Sequence, residues 1–152
     1  MTELRRTSSD DADFQRLVQQ LDAYLSTTDG DEHAFYNQYN GLENIKHVVV
    51  AYKDGAAIAC GAVKELAPET VEVKRMYTEP AGRGRGLAGS VLRELETWAA
   101  ELGYTQAVLE TGKRQLAALA FYPKQGYLII PNYGPYVEME NSVCFGKQLG
   151  KK

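Results

Sequence analysis

An α+β domain with a central mixed sheet flanked by helices is the fold class this sequence predicts, and three observations predict it. The β-branched run Ile45 to Tyr52 meets Asp54-Gly55, a hairpin turn, and returns as Ala56 to Val63. Two stretches repeat apolar residues at helical spacing: Phe14, Leu17, Val18, Leu21, Tyr24 and Leu25, then Leu87, Ala88, Val91, Leu92, Leu95, Trp98, Ala99 and Leu102. Between them a strand, a glycine loop and a helix follow one another without interruption, which ties sheet and helices into one layered unit.

The remaining elements follow in order. A short strand opens the chain around Glu3 to Thr7, and Ser9 or Asp10 is placed to cap the first helix. Residues 27 to 44 turn polar and aromatic, with a short helix expected around Glu32 to Tyr39. After the hairpin, Pro68-Glu69 marks a turn. Thr70 to Thr78 then forms a third meander strand, with Glu72, Lys74 and Met76 alternating against Val71, Val73, Arg75 and Tyr77. Pro80 closes that strand, and Gly103 ends the helix that begins near Leu87. Ala107 to Leu109 reads as a buried strand, and Gln115 to Tyr122 as a short helix stopped by Pro123. Tyr127 to Ile130 and Ser142 to Phe145 read as the last two strands. With 152 residues, 44% of them hydrophobic and 24% charged, one domain spanning residues 1–152 is expected.

Composition narrows the function classes. No run approaches the roughly 18 apolar residues of a membrane span, and the first residues lack the apolar centre of a secretion signal, so a cytoplasmic protein with no membrane partner is expected. Cys60 and Cys144 lie in apolar runs without the close spacing of a metal knuckle or redox pair, and are expected as buried free thiols. His33 and His47 make no metal pair, and His47, inside a strand, is assigned to packing; no metal is expected. A net charge of −3 argues against a nucleic-acid partner, because neutralising phosphates demands a basic face.

The glycine loop carries the chemistry. The first N–H groups of a helix have no intrahelical acceptor and sit at the positive end of its dipole, so they attract phosphate oxygens. Gly84 and Gly86 keep that approach open, Arg83 and Arg85 add cationic donors, and Ala88 and Gly89 keep the first turn small. A P-loop would need GxxxxGK followed by Ser or Thr, which is absent. A dinucleotide fingerprint belongs on the first strand–helix turn of a parallel unit, whereas here a hairpin and three strands precede the loop.

Met76-Tyr77-Thr78-Glu79-Pro80 followed by Arg83-Gly84-Arg85-Gly86-Leu87-Ala88 resembles the Arg/Gln-x-x-Gly-x-Gly/Ala signature of the Gcn5-related N-acetyltransferase (GNAT) superfamily. Its second half resembles Leu109-Glu110-Thr111-Gly112, then Gln115, Ala118, Ala120, Phe121-Tyr122 and Gly126-Tyr127. The resemblance implies a mostly antiparallel sheet of about seven strands with about four helices, in which the fourth and fifth strands splay apart. It implies acetyl-CoA as cosubstrate and no metal. The pantetheine arm would lie along Met76, Tyr77 and Thr78, and the diphosphate on Arg83, Gly84, Arg85, Gly86, Leu87, Ala88 and Gly89. Gln115 stands where relatives usually carry asparagine. An amine must lose a proton before attacking a thioester, since an unperturbed lysine-type amine has a pKa of about 10.4. By resemblance Glu110 is the first candidate base; Glu72, on the fourth strand and able to face the same gap, is the second, with a water relay as the alternative. Tyr122 matches the family's general acid.

The acceptor is less legible. In this fold the acceptor site would be built by residues 27 to 44 and 132 to 142, where His33, Tyr36, Tyr39, Tyr133 and Tyr136 are candidate substrate contacts. Acids and aromatics suit a cationic or amphipathic amine. The expected activity is acetyl transfer to a primary amine of a small molecule or amino acid by direct attack in a ternary complex with general acid and base. A protein or peptide acetyltransferase and a noncatalytic acyl-CoA-binding module are the alternatives. Dimers are common in the superfamily, and the tyrosine-rich C-terminal stretch offers a homodimer interface or a wall of the substrate cleft.

Overall fold

The computed structural model describes residues 2–28 and 45–149. The helix expected at 32–39 lies outside the described residues. Seven strands, β1 (Thr2–Thr7), β2 (His47–Lys53), β3 (Ala56–Ala67), β4 (Thr70–Thr78), β5 (Gln106–Gly112), β6 (Leu128–Ile130) and β7 (Ser142–Gln148), form one sheet. Their order is β1-β2-β3-β4-β5-β7-β6. Among the described residues the α-helices are α1 (Ala12–Thr28), α2 (Leu87–Glu101) and α3 (Leu116–Lys124). Short 3₁₀ turns lie at Pro80–Gly82 and Gly134–Tyr136. The β4–β5 pair is parallel and all other pairs are antiparallel, so the α+β expectation with a mixed sheet holds.

The continuous β-branched run in β2 makes sense once both faces are covered. Val48 and Val50 pack with Phe14, Leu17 and Val18 of α1, while Val49 and Ala51 pack with Val91, Leu92 and Leu95 of α2. A strand buried on both sides has no polar face to alternate with. Two expectations at helix ends need correction. Asp11, rather than Ser9 or Asp10, caps α1: its Oδ1 accepts the Phe14 N–H at 2.9 Å. Pro123 sits inside the last turn of α3 instead of ending it. There the bonds have tightened, with Gln125 N–H on Tyr122 O and Gly126 N–H on Pro123 O, and the missing proline donor costs little.

One irregularity positions the site. Lys74 pairs with Ala62 and Tyr77 with Cys60, so Arg75 and Met76 together oppose the single residue Gly61. This is a β-bulge, and Arg75 takes a left-handed φ of 60°, unusual for a non-glycine. The bulge is held on both sides: the Arg75 guanidinium pairs with Asp22 of α1, and the Cys60 thiol donates to Arg75 O at 3.4 Å. β4 and β5 pair only over Thr70–Glu72 and Gln106–Val108. Beyond Glu72 and Val108 the two strands diverge, giving the opening expected between the fourth and fifth strands.

Gly61 is required opposite the bulge. A Cβ there would collide with the Met76 sulfur and stand 3.0 Å from Leu95 Cδ1 and 3.1 Å from Val91 Cγ1. We expect Gly61→Val to lower stability by about 1–3 kcal/mol through overpacking, measured by urea denaturation; an unchanged midpoint would contradict the crowding.

Candidate functional site

The strand opening leads into two cavities that share Leu21, Met76, Gln115, Ala118 and Tyr122. The larger, about 560 Å³, runs from the end of β4 over the glycine loop to the start of α2 and along α3. Of the residues expected around a cofactor, Met76, Tyr77, Thr78, Arg83, Gly84, Gly86, Leu87, Ala88, Gly89 and Gln115 line it. Arg85 does not. Phe121, quoted in the second half of the signature, also lines this cavity, as do Tyr24, Arg93 and Gln125, which were not expected near a cofactor.

The loop has the geometry that an anion cradle needs. Gly84 and Gly86 adopt φ of 81° and 76°, the left-handed region that favours glycine. The first intrahelical bond of α2 is Ser90 N–H to Gly86 O at 3.1 Å, so the N–H groups of Leu87, Ala88 and Gly89 precede the helical ladder. A Cβ at Gly84 or Gly86 would meet nothing within 4 Å, which leaves the approach open. Arg83 is fixed at the rim by donating from Nε to Thr78 O at 3.0 Å.

The smaller cavity, about 120 Å³, lies on the α1 face of the sheet and is polar. Glu72 and Lys74 of β4 and Glu110 and Thr111 of β5 line it, with Leu21 and Leu25 of α1 and Tyr136 from the C-terminal turn. Both carboxylates expected near the reacting group are therefore here. Glu72 is 6% exposed, and its Oε2 accepts the Tyr133 hydroxyl at 2.8 Å. Glu110 Oε2 accepts the Ser142 hydroxyl at 2.8 Å. Tyr136, an expected substrate contact, is on the wall, whereas Tyr133 is not: it stands behind Glu72 as its hydrogen-bond donor. His33, Tyr36 and Tyr39 lie outside the described residues. His47 packs edge-on against Trp98 at 4.8 Å between ring centroids, as a packing histidine would, and Cys60 and Cys144 are buried free thiols.

Lys74 is the group that the sequence reading passed over. Its alternation with Glu72 on one strand face was the available signal. The Lys74 ammonium stands 3.7 Å from Glu72 Oε1, and burial pulls its pKa below the ordinary lysine value despite that carboxylate. Tyr122 lines both cavities at their junction, and its ring is held edge-on by Phe121 and Tyr127 at 4.9 and 5.8 Å between centroids. Burial raises its pKa well above the usual phenol value, which keeps the hydroxyl protonated through neutral and mildly alkaline pH. Burial, reinforced by Glu72, raises Tyr133 in the same sense.

The profile of the Acetyltransferase (GNAT) family matches residues 14–127. A protein named IAA acetyltransferase from Azospirillum brasilense is 32% identical over 142 residues, 90% of each chain. A solved structure from Klebsiella pneumoniae that carries an acyl-CoA N-acyltransferase name covers 99% of both chains at a TM-score of 0.83 and 29% identity. A GNAT-family acetyltransferase of Elizabethkingia anophelis, solved with acetyl-CoA bound, covers 97% of this chain and 98% of its own at a TM-score of 0.68 and 17% identity, a likeness of fold.

Glu72 is 6% exposed and accepts the Tyr133 hydroxyl at Oε2, so losing the phenol removes a donor from a buried carboxylate oxygen. Tyr133→Phe is expected to cost about 1–3 kcal/mol in urea unfolding. A loss below about 0.5 kcal/mol would mean that water replaces the phenol there.

Proposed function

The chain belongs to the acetyltransferase (GNAT) family and is an acyltransferase, and from that premise we propose that it transfers an acetyl group from acetyl-CoA to a primary amine of a small molecule in a ternary complex. The observation that carries this reading is the meeting of the two cavities at Tyr122, one walled by the glycine loop and the other by two carboxylates. The small size of the acid-lined cavity favours a small acceptor over a protein chain.

In this reading the exposed N–H groups at the start of α2, with Arg83, hold the diphosphate, and β4 residues Met76, Tyr77 and Thr78 hold the pantetheine amides where β5 has turned away. Acetyl-CoA supplies the activated acyl group as a thioester. Glu110 or Glu72 takes the proton that the acceptor ammonium must lose before its nitrogen can attack. Glu72 is held in place by Tyr133 and Glu110 by Ser142, and each bond fixes one carboxylate oxygen. As the nitrogen–acyl bond forms and the carbon–sulfur bond breaks, Tyr122 donates its proton to the departing sulfur and is reprotonated by the second proton that the acylated nitrogen sheds. The products are the N-acetylated acceptor and CoA.

Two variants separate binding from chemistry. Tyr122→Phe is expected to slow kcat by about tenfold or more with acetyl-CoA affinity unchanged, since proton transfer by a placed side chain contributes about 10²–10⁴. Turnover near wild type would remove Tyr122 from the assigned role. Gly86→Val forces a β-branched residue into left-handed backbone at a cost of about 1–3 kcal/mol, so acetyl-CoA should bind about tenfold more weakly in calorimetry. Equal affinity would place the diphosphate elsewhere.

A further inference from the structure

Lys74 is a buried cation that faces a cavity and is ion-paired with Glu72. Its side chain is 6% exposed, it lines the smaller cavity, and its contact with Glu72 Oε1, at 3.7 Å, is too long for a hydrogen bond. Among the described residues no atom accepts a hydrogen bond from its ammonium, which carries three donors. The acids around it are already engaged: Glu72 Oε2 by Tyr133, and Glu110 Oε2 by Ser142. The neighbouring cation Arg75 is paired with Asp22 of α1. The ion pair with Glu72 supplies opposite charge but no acceptor at hydrogen-bond distance, so an acceptor oxygen arriving from the cavity would lower the cost of keeping this ammonium charged.

Its place along the strands says where that anion would sit. Glu72 and Val108 are the last paired residues before the strands part. Lys74 is two residues further along β4 and Glu110 two residues further along β5, so by strand alternation they lie on the same sheet face, one on each lip of the opening. Lys74 and Glu110 line one cavity of about 120 Å³, so an amine beside Glu110 has room for only a short link to a substituent that meets Lys74. Because two carboxylates share the cavity, a singly charged anion is tolerated better than a doubly charged phosphate.

We propose that Lys74 binds a carboxylate of the acceptor, and that the acceptor is therefore an amino acid whose amine and carboxylate are one or two carbons apart. This rests on the acetyl-transfer reading above and narrows it to a zwitterionic substrate, with Glu110 and Glu72 at the ammonium end and Lys74 at the carboxylate end. Transfer makes an N-acetylamino acid and CoA, the amine proton being exchanged for the acyl group and the sulfur gaining a proton.

The test is CoA release from acetyl-CoA with matched acceptors: free α- and β-amino acids, the amines left by removing their carboxylates, and amino-terminal peptides. The wild-type enzyme is expected to favour the free amino acid in each set by about tenfold or more in kcat/KM, the equivalent of about 1.4 kcal/mol. Lys74→Met is expected to bring that ratio close to one by raising KM for the amino acids, and Lys74→Arg to restore part of it. Acetyl-CoA affinity of the variants, read by calorimetry, reports that the fold is intact. A wild-type enzyme that treats amino acid and decarboxylated amine alike, that prefers peptides, or whose preference survives Lys74→Met overturns the assignment while leaving acetyl transfer standing. Release of no CoA with any acceptor, from protein that binds acetyl-CoA, overturns acetyl transfer itself and this inference with it.

Discussion

The extra residue in β4 is the constraint on which the rest of this structure depends. Two residues, Arg75 and Met76, face one, Gly61, and the strand bends away from its parallel neighbour just where pairing with β5 ends. Without that bend β4 and β5 would continue their ladder past Glu72 and Val108 and close the sheet. With it, the backbone from Val73 to Thr78 has no ladder partner on the β5 side, and its free donors and acceptors on that side are open to water or to an extended ligand. The bulge is a strained conformation that the surroundings enforce. Arg75 at φ 60° is held through its guanidinium by α1 and through its carbonyl by Cys60, while Gly61 yields the space that Met76 occupies.

Much of this fold could be read from the chain because its signals are local. The Asp54-Gly55 turn and the helical stripe from Leu87 to Leu102 each depend on residues a few positions apart, and each appears where expected. The alternation expected along the third meander strand holds only as far as Lys74: past it the bulge turns Met76 to the face of Val71 and Val73, and Arg75 and Tyr77 to the α1 face. The Arg83 to Ala88 loop was equally plain, since left-handed turns before a helix call for glycine at fixed places. What the chain concealed depends on distant contacts. Arg75 is not a residue that announces a positive φ; its conformation comes from Asp22, 53 positions away, and from Cys60. The exchange of Tyr133 from a substrate wall to a support for Glu72 joins residues 61 positions apart. Lys74 read as one charge in an alternating strand, and only the cover of α1 on that face turns it into a buried ammonium.

The electrostatics of the smaller cavity follow from the same bend. A strand face carrying Glu72 and Lys74 beside Glu110 would be an ordinary solvated surface if α1 and the C-terminal turn did not cover it. Covered, the three charges lose water, and their mutual attractions strengthen as the local dielectric falls. The cover is uneven in its consequences. Each carboxylate has a hydroxyl donor at 2.8 Å, whereas among the described residues the acid nearest the Lys74 ammonium, Glu72, stands at 3.7 Å, so the lysine's charge is the more expensive to keep. Such imbalance is a poor way to stabilise a fold, since an apolar residue at position 74 would bury at no comparable cost.

A cost of that kind persists where the missing half of the interaction arrives with a ligand. Tyr122 fits the same logic from the other side of the opening: it is surrounded by Phe121, Tyr127 and Phe145, packing that fixes its ring while burial keeps its proton. The two cavities thus divide the work by solvation. The glycine loop offers uncharged backbone donors at a wide, open mouth, which suits a large anion that must enter and leave. The smaller cavity offers fixed charges in a narrow, covered space, where a misplaced proton or an unmatched ion is penalised most. On the proposed reading a substrate there is selected by charge pattern before shape, and the bulge that separates β4 from β5 joins the cavity of the charges to the cavity of the glycine loop.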